Sequence, residues 1–364
     1  MNPTRLILAR KRRQCTQGRL AELIGVHPRA VAAYEAGEYA PSEETMAKIE
    51  SVLRFPPVFF NGDDLEEPSP NAVSFRAMTK MGSKQRDAAL SQSAFAWALN
   101  QWLEQRFELP MAALPDLSRE STPEAASESL RALWGLGELT IRNVVHLLEA
   151  KGVRVFSLAV EAREVDAFST WQGNVPFVFL NSYKSSERSR FDAAHELGHL
   201  VLHKHGAPQG REAELEANHF ASAFLMPSGS VHANLPRFVT VEALIKLKKI
   251  WITSVSSVNY RLHSLKLISD WHYRGLCVEI SKRGFHTSEP EEAPRETSLI
   301  LPKLLSTLHR DGISRYRIAS NLGIPSAELE QLLFGLVITG IDGGRQGPGA
   351  TPATRPQQHL RRVK

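Results

Sequence analysis

Apolar residues recur at helical spacing along most of the chain, and one stretch near its middle breaks that rhythm. Over residues 5–60, Leu6 and Ala9, then Leu20, Ala21, Leu23 and Ile24, share one side of a helical turn, so this segment reads as helical throughout. Its punctuation divides it. Thr16 is placed to cap a helix running to Ile24, Gly25 supplies a turn, Pro28 suits the first position of a second helix reaching Glu35, and Gly37 fits its end. Residues 84–108, with Ala88, Leu99, Trp102 and Phe107, predict an amphipathic helix assigned to packing, and residues 123–151 predict one or two more, ending near Gly152.

Between Val153 and Asn181 the pattern shortens to β-rich runs, VRVFSL, VDAFSTW and VPFVFLN, separated by turn residues, and a small sheet is expected. Helical spacing returns in SSERSRFDAAHELGHLVLHKH, capped at Ser185 or Ser186 and reaching about His203, then from about Glu212 to Leu225 and over 240–265. The chain is therefore mainly α with one β-rich insertion.

At roughly 150 residues per domain, 364 residues suggest two to three domains, and 42% hydrophobic with 23% charged residues is ordinary globular composition. The first residues lack the order of a secretory leader, and no apolar run spans a bilayer. Cys15 and Cys277 lie too far apart in sequence to suggest a disulfide framework, so a soluble, cytoplasmic protein with no membrane partner is expected. The net charge of +5 changes the picture only through its distribution. Residues 343–364 carry five cations and no acid, so the remainder sums to zero. Arg5, Arg10, Lys11, Arg12, Arg13 and Arg19 precede the first acid, Glu22, a local basic patch that can serve phosphate contact or a solvated helix face.

Two short helices joined through Gly25 and an expected buried Val26 match the helix-turn-helix unit, whose second helix enters the major groove. The stretch TQGRLAELIGVHPRAVAAYEAGEYAPSEETMAKIESVL resembles the lambda-repressor-like (XRE) DNA-binding domains through Gln17, Leu20, Ala21, Gly25, Val26, Val31, Tyr34, Glu35, Gly37, Pro41, Ser42 and Ile49. The resemblance implies a double-stranded DNA operator as partner, with Gln17 touching the backbone and Arg29, Ala30 and Ala33 facing base edges. His27–Pro28 stands where a Ser or Thr cap is common, and Ala30, Ala32 and Ala33 stand where polar readers often sit, which thins base-specific readout. One reading helix sees one half-site, so a homodimer is a corollary.

The helix that directly follows the β-rich stretch contains His195-Glu196-Leu197-Gly198-His199. Residues four apart share a helix face, so the two imidazoles can converge on one Zn²⁺ with Glu196 beside it as general base. With 13 histidines in the chain, an accidental match is expected about 0.05 times. A catalytic site needs a third protein ligand, and the next helix offers Glu212, Glu214 and Glu216. Glu216 is preferred, because Phe220 and Ala223 continue its stripe, and Glu214 lies off that stripe. His203 is the rival, but a third histidine along one straight helix lies about 12 Å from the first, so it is assigned to the surroundings of the metal ligands.

HELGHLVLHKH followed by ELEANHFASAFLMP resembles the ImmA/IrrE-type metallopeptidases through His195, Glu196, His199, His203, Glu216, Ala217, Asn218, Phe220, Ala221, Leu225, Met226 and Pro227. The resemblance implies one zinc per chain held by the two histidines and a downstream glutamate, Glu196 as catalytic base, and Asn218 orienting rather than ligating. Phe224 and His219 depart from the family pattern. The expected fold class is multidomain, mainly α with a small β-sheet: an all-α helix-turn-helix domain and an α+β zincin-like metallopeptidase domain. The divisions expected are 1–62 for DNA binding, 63–139 as a helical bridge, 140–268 as the peptidase, 269–341 as a C-terminal helical region and 342–364 as a disordered basic tail. The function implied is that of a regulator cleaving a repressor or antitoxin-like protein. The alternative is a non-proteolytic regulator whose zinc domain senses metal or ligand, or is structural.

Two further expectations concern surfaces. The strand around Pro176–Leu180, just before the zinc helix, is a candidate for binding extended substrate at its edge. In the C-terminal region, Ile318-Ala319-x-x-Leu322-Gly323-Ile324 echoes Leu20-Ala21-x-x-Ile24-Gly25-Val26, so a second helix-turn-helix is possible. Its second helix carries Glu328 and Glu330, which would oppose phosphates, so packing or partner binding is favoured there.

Overall fold

In a computed structural model, which describes residues 1–68, 82–158, 167–204, 210–337 and 361–362, the N-terminal segment folds into five helices. They are α1 (Pro3–Arg12), α2 (Gln17–Ile24), α3 (Pro28–Ala36), α4 (Glu43–Leu53) and α5 (Pro57–Phe60). Thr16 caps α2 by accepting from the Arg19 amide, and Gly25 closes it with a φ of 73°, a left-handed conformation that costs glycine little. His27 replaces the missing hydroxyl cap, its Nδ1 accepting from the Arg29 amide at 3.2 Å. Leu6, Leu20, Ala21, Val31, Ile49 and Phe60 are fully buried between these helices, and Val26 is half-buried rather than buried.

The N-terminal cations do not form the expected open patch. Arg5 and Arg12 are buried, Arg10 grips both oxygens of Glu35, and Arg12 and Arg13 both reach Glu328. The reason is the desolvation cost of a buried guanidinium, which is offset by a facing carboxylate for Arg12 and by the Asp63 carbonyl for Arg5.

A long helix, α6 (Ser83–Glu104), follows; it is buried over most of its circumference rather than on one face. Then come β1 (Phe107–Glu108), α7 (Pro123–Leu133), α8 (Val144–Ala150), β2 (Arg154–Ser157), β3 (Phe168–Gln172) and β4 (Val175–Leu180). The three longer strands form one mixed sheet in the order β2-β4-β3, with β2 parallel and β3 antiparallel to β4. Strand alternation sorts its faces. Phe156, Phe168, Phe177 and Phe179 share one side, with Trp97 of α6 against Phe177, and Ser169 and Val178 point to the other. The strand at Pro176–Leu180 is thus the central one, paired on both sides, and cannot add a substrate strand; among the described residues β2 and β3 each pair on one side only, and β3 is the edge that carries Ser169.

Against that second face lies α9 (Ser186–Leu202), followed by α10 (Arg211–Leu225), α11 (Ser228–Ala233), α12 (Val241–Trp251), α13 (Val255–Ser264) and α14 (Asp270–Lys282). Buried ion pairs fix α9: Lys248 meets Glu187 at 2.9 Å, and Arg190 meets Glu296. Glu296 also accepts from the Val144 and Val145 amides at the start of α8, and Glu289 accepts from the Val255 amide. The acidic loop at 286–298 is therefore a strap whose carboxylates cap helices.

The chain continues into α15 (Ile300–Arg310), α16 (Arg315–Asn321) and α17 (Ser326–Leu333). The repeated spacing does give a helix, a turn at Gly323 and a second helix. That second helix is not presented for reading: α17 packs on α6 and β2, and Glu328 is fully buried beneath Arg12 and Arg13. Of the expected basic tail, only β5 (Arg361–Arg362) is described, antiparallel to β1; residues 342–360 and 363–364 lie outside the described residues. Among the described residues no helix is long and apolar enough to cross a membrane.

Replacing Glu328 by Ala leaves the Arg12 guanidinium buried opposite no carboxylate. The expected cost is about 3 kcal/mol, read as a lowered denaturation midpoint; an unchanged midpoint would show that the contact contributes nothing.

Candidate functional site

The site is built where α9 crosses α10. Gly198 makes the approach possible: a Cβ there would meet Phe220 Cδ1 at 3.0 Å and the Ala217 Cα at 3.3 Å. The helical spacing of His195 and His199 brings their Nε2 atoms to 3.1 Å from each other. Glu214 of α10 closes the group, with Oε2 3.4 Å from His195 Nε2 and Oε1 3.2 Å from His199 Nε2. One donor atom from each of the three lies within 4.8 Å of the other two. Two imidazole nitrogens and one carboxylate oxygen on a buried wall suit a tetrahedral zinc site with one open position.

Glu216 is not at that point, which corrects the expectation from its stripe. The buried face of α10 runs through Ala213, Glu214, Ala217, Phe220, Ala221 and Phe224, and Glu216 sits at its margin, 2.9 Å from His203 Nε2. Glu214 was legible by another signal. It lies one turn before Asn218, so a four-residue ladder on α10 faces the four-residue ladder of α9. Asn218 Oδ1 stands 3.1 Å from His195 Nδ1, and His203 Nδ1 stands 2.9 Å from His199 Nδ1.

Glu196 points to the sheet side, where Ser169 of β3 donates to its Oε2 at 2.7 Å. Ser169 was missed because a strand serine carries no motif of its own; the sheet register decides that it, and not Phe168 or Thr170, meets Glu196. Burial pushes the Glu196 carboxyl up to about 7, against the pull of His195 and the Ser169 hydrogen bond. Burial also lowers His199 to about 4, although Glu214 opposes this. In His195 burial acts the same way but is outweighed by the Glu214 hydrogen bond and by the charges of Glu196, Glu214 and Asp192, so its pKa rises. Glu214 is held below the usual range despite burial, by its close contacts with the imidazoles of His195 and His199. A cavity of about 160 Å³ adjoins the group, lined by Ala167, Arg188, Phe191, Asp192, His195, Glu196 and Asn218.

Residues 148–263 match the family model of the IrrE N-terminal-like domain, and residues 6–60 match a helix-turn-helix model. The chain joins a helix-turn-helix domain to an IrrE-like, metallopeptidase-type domain. No curated protein matches it.

In the helix-turn-helix domain the exposed face of α3 carries Arg29, Ala32 and Ala36. Ala33, expected at base edges, is buried at 8% exposure and does not face a groove as expected, while Ala30 is half-buried against the core. A one-residue shift in helical phase separates the expected stripe from the observed one. Gln17 is exposed at the start of α2, where its Nε2 donates to Glu35 at 2.7 Å.

Two measurements follow from these positions. Ser169→Ala removes a hydrogen bond to the charged form of Glu196, so in metal-free protein this carboxyl should titrate above 7 by carbon NMR; an unchanged or lower midpoint would contradict the contact. Ala32→Glu should leave the fold intact and weaken DNA binding at fixed salt, whereas Ala33→Glu should lower the unfolding midpoint. Equal DNA binding by the Ala32 variant would remove this face of α3 from the interface.

Proposed function

We propose that the protein is a DNA-binding regulator whose IrrE-like domain is a zinc-dependent peptidase, hydrolysing a peptide bond in a regulatory protein partner of repressor or antitoxin-like type. The observation that carries this reading is the convergence of His195, His199 and Glu214 with Glu196 immediately beside them. The three donors would hold zinc, which when bound acidifies water and polarises a carbonyl.

The chain's own groups then divide the work. Glu196 takes a proton from water through its carboxylate and returns it to the departing amine. Ser169 fixes Oε2 by hydrogen bonding, which leaves Oε1 for the transfer. Burial holds the carboxyl near neutrality in the absence of metal, so the group changes protonation state within the physiological range. The edge strand β3, from which Ser169 projects, is the place for an extended substrate backbone to pair, a role moved here from β4. On the DNA side, one exposed α3 face per chain reads one half-site, so the operator-bound form is a homodimer.

Purified protein should carry about one zinc per chain by elemental mass spectrometry, lost in His199→Ala and in Glu214→Ala. Glu196→Gln should keep the zinc and the DNA binding while stabilising a partner that the wild type degrades. Unchanged partner levels and unchanged regulation in that variant would remove the peptidase and leave a sensor.

A further inference from the structure

Behind the three converging donors, the polar groups form a line that runs outward to the surface. His199 Nδ1 lies 2.9 Å from His203 Nδ1, and His203 Nε2 lies 2.9 Å from Glu216 Oε2. The direction of each hydrogen bond follows from simple accounting. A carboxylate only accepts, and a neutral imidazole carries one N–H and one lone pair on different nitrogens. Facing Glu216, His203 donates from Nε2, so its Nδ1 holds the lone pair. That lone pair must accept from His199, whose Nδ1 therefore carries the proton and whose Nε2 carries the lone pair. Nε2 is the atom that faces His195 and Glu214.

We propose that Glu216 and His203 are positioning residues: a carboxylate–imidazole relay that sets the tautomer of His199 and so readies its Nε2 to bind zinc. The proposal rests on the zinc reading above. A relay is needed because Glu214 pulls the other way. Its Oε1, 3.2 Å from His199 Nε2, would accept a proton there and stabilise the tautomer that cannot ligate. Two acids on one helix thus compete for a single proton, Glu214 from the front of the ring and Glu216 from behind through His203. His195 achieves the same orientation with a single neighbour, the amide oxygen of Asn218.

The two ends of the line differ in environment. The side chains of His199 and His203 are 7% and 8% exposed, and that of Glu216 is 34% exposed. A surface carboxylate thereby determines proton placement two rings away, at a buried donor. Partners behind a metal-binding imidazole raise its basicity and fix its ring, and their removal ordinarily weakens metal binding by about 10- to 100-fold.

The test is zinc affinity by competition with a chromophoric chelator, beside nitrogen NMR of the histidine rings in zinc-free protein. Glu216→Ala and His203→Phe should each weaken zinc about 10- to 100-fold, and the double variant should bind no more weakly than His203→Phe alone, because one chain of bonds is broken once. Glu216→Gln, whose amide oxygen can still accept, should recover part of the loss. The His199 ring should shift from the Nδ1–H toward the Nε2–H tautomer in Glu216→Ala, a change that a packing role would not produce. Unaltered affinity in Glu216→Ala, or losses that multiply in the double variant, would overturn the relay while leaving His195, His199 and Glu214 as zinc ligands. A wild-type chain that takes up no zinc would overturn both.

Discussion

The close crossing of α9 and α10 is the constraint on which the site depends. A glutamate has only two methylenes between its backbone and its carboxyl, so Glu214 reaches both imidazoles only if the helix backbones nearly touch. Gly198, in the motif's own interior, removes the one Cβ that would hold them apart, with Phe220 and Ala217 filling the other side. The same approach brings Asn218 to His195 and Glu216 to His203. One packing contact therefore places both the donors and the groups that orient them.

That crossing is held in place by buried charge. Glu187 and Arg190 on the first turns of α9 are tied to Lys248 and Glu296, and the same strap that provides Glu296 and Glu289 also closes the starts of α8 and α13. Buried ions bind strongly only when each is matched, and removing one member leaves the other stranded. The arrangement therefore specifies position more than it adds stability. Arg12, Arg13 and Glu328 use the same device at the other end of the molecule, fastening the C-terminal helices to α1 of the helix-turn-helix domain. Charges that read in sequence as an open basic patch and an acidic loop turn out to be the fasteners between segments far apart in the chain.

The two parts meet chemistry differently. The IrrE-like domain places its candidate donor groups and Glu196 on two packed helices, with Ser169 supplied by a strand of the adjoining sheet. The helix-turn-helix domain leaves α3 with a small-residue face, where Arg29 is the long side chain among alanines. Such a surface favours contact with phosphates and groove shape over base-by-base reading.

Local chemistry in the sequence determined a good deal. Thr16, Gly25, Pro28 and Gly37 delimit the paired helices because caps and left-handed turns are decided by neighbouring residues, and the HExxH spacing places two imidazoles on one face for the same reason. The three longer strands and their order of occurrence were equally legible from their β-rich runs, whereas β1, inside the stretch read as a helix over 84–108, and β5, inside the stretch read as a disordered tail, were not. What only the tertiary structure decided was which side of each element faces which neighbour. Glu214 and Glu216 project from opposite sides of α10, and the choice between them was made by the angle at which α10 packs on α9. Ala33 rather than Ala32 entered the core by a similar small rotation, and Ser169 met Glu196 through a sheet register spanning elements 27 residues apart. Helical and strand periods are written residue by residue, but the absolute phase of a helix is fixed by long-range packing, and a shift of one or two residues there exchanges one candidate ligand for another.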